Sequence, residues 1–267
     1  MKETAMSNCY MSPSPSAEQF IPAHTFIYLV AGCMTVFDGS REYKLQQGDC
    51  GIGRRNHLAK YSKQSDNGAF KKIYISFEQE FLKEFRNTYQ FIAASNNTTN
   101  AIIPLGKNKL VDNFIQSLIP YFNETGIIDK AFLQIKRTEL LLILLKENPE
   151  LATVFFDFGN PEKIDLTEFM NRNYKFNISI ERFAYLTGRS LSAFKRDFEK
   201  VFKATPSHWL VQKRLEEAHY LLTKKNKKPS DIYLDLGFEN FSHFSFAFKK
   251  LFGLSPTQLT KTNKTCS

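Results

Sequence analysis

Two stretches fifty residues apart repeat one aromatic pattern, and that repeat restricts the fold more than any other feature of the chain. FKRDFEKVFKATP begins at Phe194 and FSFAFKKLFGLSP at Phe244, so Phe194, Phe198, Phe202 and Pro206 are answered by Phe244, Phe248, Phe252 and Pro256. A four-residue step held in both copies fits a helix and not a strand, because each step turns the chain by only about 40° at 3.6 residues per turn. In the second copy Phe241, Phe244, Phe248 and Phe252 then form one buried seam, while Phe246, with Ser242, His243 and Lys250, lies away from it. In the first copy Leu191, Phe194, Phe198, Val201 and Phe202 share the seam, and Ser192, Arg196, Glu199 and Lys203 lie opposite.

Ahead of each seam helix stands a shorter amphipathic segment with a glycine-containing turn: ISIERFAYLTGRS before the first and PSDIYLDLGFEN before the second. Helix, short turn with glycine, second helix is the helix-turn-helix arrangement. Ser179 and Ser190 are suited to cap helix N-termini. The full helical reading of this region runs Ile164–Tyr174, Ser179–Leu186, Ser190–Phe202, Pro206–Leu222, Ser230–Leu236 and Ser242–Phe252. The connector HWLVQKRLEEAHYLLTKK supplies about 16 helical residues, or roughly 24 Å. Successive major grooves on one side of a duplex are about 34 Å apart, a distance that tilted helices on such a connector can span.

Charge follows the same division. Of a formal net charge of +9, residues 162–267 hold 19 Lys and Arg against 11 Asp and Glu, whereas residues 1–161 hold 17 against 16. A basic excess confined to one part of the chain suits a polyanionic partner such as DNA.

The linked motifs SLSAFKRDFEKVF, RLEEAHYLL and DIYLDLGFENFSHFSFAFKKLFGLSP, spread over about 100 residues from Ile164 to Leu259, resemble the AraC/XylS family of bacterial transcription regulators. The resemblance implies a seven-helix DNA-binding domain with two helix-turn-helix units. Three positions depart from the family pattern. Lys203 stands where the first unit often has a glycine after its recognition helix, Tyr233 replaces a small residue in the second support helix, and Phe246 takes a groove-facing place where a polar side chain is frequent. A phenylalanine cannot donate a bidentate bond to guanine, but it can contact a thymine methyl. A neighbouring domain is the other surface that Phe246 could cover.

On this reading Ser192, Lys195 and Arg196 of the first helix and Ser242, His243 and Phe246 of the second face bases. Ser190, Lys200, Asn240, Lys249 and Lys250, at helix starts or flanking the outward face, suit phosphates. The KKNKK run at 224–228 reads as a solvated loop.

The remainder of the chain has a different pattern. Residues 1–19 are rich in Ser and Pro and read as a disordered tail. From His24 to Phe77 come short β-type runs broken by Gly, Asp and Asn, which indicate a small barrel or sandwich. Helical patterns follow at Asn108–Glu124, with Leu110, Phe114, Leu118 and Phe122 on one stripe, and at Asp129–Glu147, which is apolar almost all round near its end. Family members commonly carry a cupin-like barrel and a helical dimerisation segment in this position. The expected fold is therefore α+β: a disordered tail (1–19), a cupin-like regulatory and dimerisation domain (20–160), and an all-α domain with two helix-turn-helix units (161–267).

GIGRRNH, from Gly51 to His57, has the beginning of a cupin metal motif, but Ala59 stands where its next histidine belongs. Neither a metal nor another cofactor is expected. A small organic effector would find polar contacts at Tyr28, Arg54, Arg55 and Tyr61; a protein regulator at this domain is the equal alternative. Cys9, Cys33, Cys50 and Cys266 lack paired spacing, and the two longest apolar runs are shorter than the roughly 20 residues that cross a bilayer. A cytoplasmic, non-enzymatic activator that binds duplex DNA, with RNA polymerase and a second copy of the chain as further partners, is the reading these features support. A cupin-type enzyme with a basic appendage, or a protein-interaction adaptor, stands as the alternative.

Overall fold

In a computed structural model the chain is described at residues 19–64, 70–89, 100–122 and 128–265, so the expected N-terminal tail lies outside the described residues apart from Gln19. The chain divides into two compact units that meet in sequence at Gly159 and Asn160.

The first unit is built on antiparallel strands: β1 (Phe20–Ile21), β2 (His24–Ala31), β3 (Cys33–Phe37), β4 (Glu42–Leu45), β5 (Cys50–Gly53), β6 (His57–Leu58), β7 (Lys60–Gln64), β8 (Lys71–Phe77) and β9 (Ile102–Leu105). They form a four-stranded sheet in the order β8-β2-β5-β9, a three-stranded sheet in the order β4-β3-β7, and the pair β1-β6. Central strand β2 explains how the layers stack. Its side chains alternate faces: Phe26, Tyr28 and Val30 join one core, and Ile27 and Leu29 join another with Met34, Val36 and Leu45 of the three-stranded sheet. One face of the main sheet is thus covered by the second sheet, and the other by helices. The expected strands between His24 and Phe77 are present. Strand β9, beyond that range, adds the far edge of the main sheet.

The helical layer consists of α1 (Gln79–Tyr89), α2 (Lys109–Leu118), α3 (Lys130–Glu147) and α4 (Leu151–Phe155). Asn108 caps α2, its side-chain oxygen accepting from the Leu110 and Val111 amides. The buried stripe of α2 is Val111, Phe114, Ile115 and Leu118; Leu110, expected on it, is exposed. Phe114 and Leu118 keep the expected phase and Phe122 packs against the same core, so only Leu110, in the first turn beside the Asn108 cap, leaves the stripe. Pro120 ends the helix in a 3-10 turn at Ile119–Tyr121. On α3, Leu140, Leu141, Leu144 and Leu145 are buried together, as an apolar girth requires, whereas Phe132 and Ile135 near its start remain exposed. Arg137 of α3 forms an ion pair with Glu78 and lies over the Phe81 ring.

Among the described residues the second unit has seven helices: α5 (Leu166–Asn173), α6 (Ile180–Leu186), α7 (Leu191–Phe202), α8 (Pro206–Lys224), α9 (Pro229–Ile232), α10 (Phe241–Phe252) and α11 (Pro256–Thr265). They enclose two cores. Leu166, Met170, Phe183, Phe194, Phe198 and Leu210 form the first; Leu215, Ala218, Leu222, Ile232, Leu236, Phe244 and Phe248 form the second. Helix α8 contributes to both. Helix α9 is shorter than the segment expected at Ser230–Leu236, which continues as turns toward Gly237. No helix among the described residues is long and apolar enough to cross a membrane.

Candidate nucleic-acid interface

Each candidate reader helix is positioned by the same devices. Ser190 caps α7 by accepting from the Ala193 amide, and Asn240 caps α10 by accepting from the His243 amide at 2.8 Å. Phe194 and Phe198 on α7, and Phe244 and Phe248 on α10, are fully buried. Both helices end in a left-handed residue, Lys203 at φ 56° and Gly253 at φ 80°, whose amide closes onto the fourth carbonyl back. The sequence-predicted seam needs correction at its rims: Val201 is 49% exposed and Phe241 is 37% exposed. Phe241 packs edge-on against Tyr233 at 5.6 Å and keeps contact with Phe244 at 6.0 Å from the rim of the core.

The turns ahead of the reader helices depend on glycine. Gly188 has φ +65°, and a Cβ there would come 2.4 Å from the backbone of Glu162. Gly237 has φ +83°, and a Cβ there would come 2.8 Å from both Cζ of Arg214 and the Lys175 carbonyl. No side chain fits either place.

With the phenylalanines inside, what remains outside is the set expected from helix phase. Ser192, Lys195, Arg196 and Lys200 of α7 are exposed, as are Ser242, His243, Phe246, Lys249 and Lys250 of α10. Arg196 reaches Asp197 at 3.4 Å, and Asp197 also receives a bond from Arg189 at 3.2 Å. The Arg189 hydrogen bond and the nearby Arg196 charge hold the Asp197 carboxyl below its usual range. Arg189 is anchored in turn by the carbonyls of Ile164 and Thr187. His243 lies against the edge of Phe238 at 5.8 Å. Ser190 and Asn240 already accept from amides, which leaves the Ser190 hydroxyl proton and the Asn240 NH2 to donate outward.

One residue that positions the two candidate helices was missed by sequence reading. Arg214 of α8 is buried, and its guanidinium donates to the carbonyls of Tyr174 at 2.7 Å, Phe176 at 2.8 Å and Gly237 at 2.9 Å. Two of these belong to the chain entering the first helix-turn-helix, and the third to the turn of the second. Burial lowers its pKa to about 10, which still leaves the side chain charged at neutral pH. A signal was available: Arg214 interrupts the four-residue apolar row Leu210, Ala218, Leu222.

The four candidate effector contacts do not converge. Tyr28 packs with the core beneath the helices and Tyr61 with the core between the sheets. Arg54 donates to the Asn100 carbonyl, and Arg55 to the carbonyls of Asp157 and Gly159. His57 is hydrogen-bonded rather than free to ligate, with Nδ1 2.8 Å from the Arg55 carbonyl oxygen and Nε2 3.4 Å from Arg54. Among the described residues no three His, Cys, Asp or Glu side chains are grouped to hold a metal ion.

Comparison with known proteins gives two family matches. A profile described as the ExsA N-terminal regulatory domain matches residues 24–154, and one described as a helix-turn-helix domain matches residues 183–262. Among curated relatives, the virulence regulon transcriptional activator VirF of Yersinia enterocolitica is 27% identical over 88% of each chain. The thermoregulatory protein LcrF of Yersinia pestis is 29% identical over 70% of this chain and 69% of its own length. The HTH-type transcriptional regulator ExsA of Pseudomonas aeruginosa is 23% identical over 94% of this chain and 91% of its own.

Proposed function

This chain belongs to the AraC/XylS family of DNA-binding transcription regulators, and from that premise we propose that it activates transcription by laying α7 and α10 into two successive major-groove segments. The observation that carries the proposal is the matched construction of the two helices. Each is capped, seamed with buried phenylalanine and closed by a left-handed residue, and each turns an exposed face with basic side chains outward from a shared α8. That shared helix has 19 residues, about 28 Å at 1.5 Å per residue.

Ser192, Lys195 and Arg196, with Ser242, His243 and Phe246, face bases; Ser190, Lys200, Asn240, Lys249 and Lys250 face phosphates. The Arg196 guanidinium suits the paired acceptors of guanine. Lysine contacts to phosphate release counterions, so affinity falls steeply with salt.

Activation, the role for which the VirF relatives are named, implies contact with RNA polymerase. The N-terminal unit takes regulatory input and supports self-association, for which the exposed side chains of Tyr121, Phe132 and Ile135 offer an apolar face. The protein works in the cytoplasm by binding alone, without catalysis, metal or cofactor.

The test is a footprint on DNA fragments selected by the full chain, repeated with two variants. Arg196→Ala should cost about 1–3 kcal/mol and relax preference at one base pair. Lys249→Ala should weaken all sequences alike and reduce the salt slope by about one phosphate. An Arg196→Ala protein with unchanged affinity and preference would remove α7 from the groove.

A further inference from the structure

The two reader helices are equivalent in construction and opposite in chemistry at their centres. At the fifty-residue offset of the repeat, Arg196 of α7 corresponds to Phe246 of α10. Arg196 presents an exposed guanidinium. Phe246 presents a bare ring: at 71% exposure it is the most solvent-exposed large hydrophobic side chain among the described residues. Such exposure adds nothing to the core, since α10 is already held by Phe244 and Phe248.

The surroundings of Phe246 indicate what it meets. On a helix the neighbours of position 246 are those three and four residues away. Here they are Ser242, His243, Lys249 and Lys250, all exposed. One apolar ring therefore stands inside a polar rim that is positively charged on its C-terminal side. A protein-docking face would instead be a contiguous apolar patch; the nearest exposed aliphatic residue along the helix, Leu251, is turned about 140° away. The major groove of DNA is the complementary surface: polyanionic at its edges, polar on its floor, and apolar only where a thymine carries its 5-methyl group.

We propose that Phe246 reads the 5-methyl group of a thymine in the half-site occupied by α10, so that the sequence bound has a guanine-reading half and a methyl-reading half and hence a fixed polarity. This rests on the reading that α10 enters the groove. Phe246 recognises by burying the methyl against its ring, with no hydrogen bond, and so responds to the methyl and not to the base-pairing edge. Its equivalent on α7 responds to acceptors. A single copy of the chain then distinguishes one orientation of the duplex from the other.

The experiment uses the full chain and a footprinted duplex in which each thymine of the α10 half is replaced in turn by deoxyuridine, which removes only the methyl. At one position the wild type should lose affinity about fourfold, the factor associated with burying one methyl-sized group. Phe246→Ala should bind thymine and deoxyuridine duplexes alike, close to the wild type on the deoxyuridine duplex, while unfolding as the wild type does. The proposal is overturned if no thymine in that half is sensitive to deoxyuridine. It is also overturned if Phe246→Ala keeps the full penalty, or if that variant binds both duplexes as the wild type does and loses only activation; these results leave the groove reading of α7 intact. Absence of any footprint over the α10 half overturns both this proposal and the placement of α10.

Discussion

Arg214 and Gly237 form a clasp: the guanidinium donates to the Gly237 carbonyl at 2.9 Å, and the missing side chain at 237 is what lets it approach. Because the same guanidinium bonds the carbonyls of Tyr174 and Phe176, one charged group links the entries of both helix-turn-helix units to the helix between them. Its cost of burial is offset by three carbonyl acceptors. Gly237→Ala combines a left-handed backbone with an overlap at 2.8 Å, and should destabilise the C-terminal unit by about 2 kcal/mol or more. Arg214→Met should cost about 3 kcal/mol by leaving buried carbonyls unsatisfied. Trp209, the only tryptophan of the chain, packs in the first core of this unit, so its fluorescence during chemical denaturation of the full chain reads both changes.

Lys203 holds a left-handed conformation at the end of α7, where Gly253 does so at the end of α10. A Cβ carries strain in that region that glycine avoids. Lys203→Gly should therefore stabilise the unit by about 0.5–1 kcal/mol, net of the added freedom of the unfolded chain, and Gly253→Ala should destabilise it by a similar amount. The same Trp209 transition, with an unchanged denaturant slope, is the measurement.

His24 gives the N-terminal unit a pH dependence. Its Nδ1 accepts from the Arg55 amide at 3.3 Å, its ring meets the edge of Phe155, and Nε2 is buried without a partner. Burial, and then the positive charges of Arg55 and Arg54, push its pKa from 6.5 down to about 3. The unfolded chain takes up a proton near pH 6.5 while the folded chain resists it to about 3, so the contribution is complete above 6.5 and falls as pH drops through that window. The loss should be about 1 kcal/mol per pH unit. His24→Asn keeps an acceptor for the Arg55 amide and does not titrate. Thermal unfolding of the β-rich unit by circular dichroism, at steps from pH 7.5 to 5, should fall more steeply for the wild type than for this variant.

The reader helices were legible in the sequence because their periodicity is a property of one helix at a time. Phe194, Phe198, Phe244 and Phe248 are spaced by the α-helical turn, and the outward residues follow from the same phase. The rims were less legible. Phe241 has the right angle for the seam but lies beside Tyr233, a neighbour from another element that no helical count contains. Leu110 was misassigned for a related reason: the Asn108 cap fixes where α2 starts, and the sheet decides which side of it is buried. The candidate effector residues do not gather because Tyr28 of the main sheet and Tyr61 of the three-stranded sheet pack into different cores, and strand order cannot be read from local alternation.

Taken alone, the order of residues determined that the chain has a β-rich part and a basic part with two copies of a helical unit, and which face of each copy is apolar. Those are consequences of spacing, and spacing is written in the chain. Only the tertiary structure decided that Arg214 is buried and holds both units, that β9 completes the main sheet, and that among the described residues no other side chain covers the outward ring of Phe246. Each of these depends on which distant backbone or side chain arrives at a given point, a long-range relation that local period and propensity do not encode.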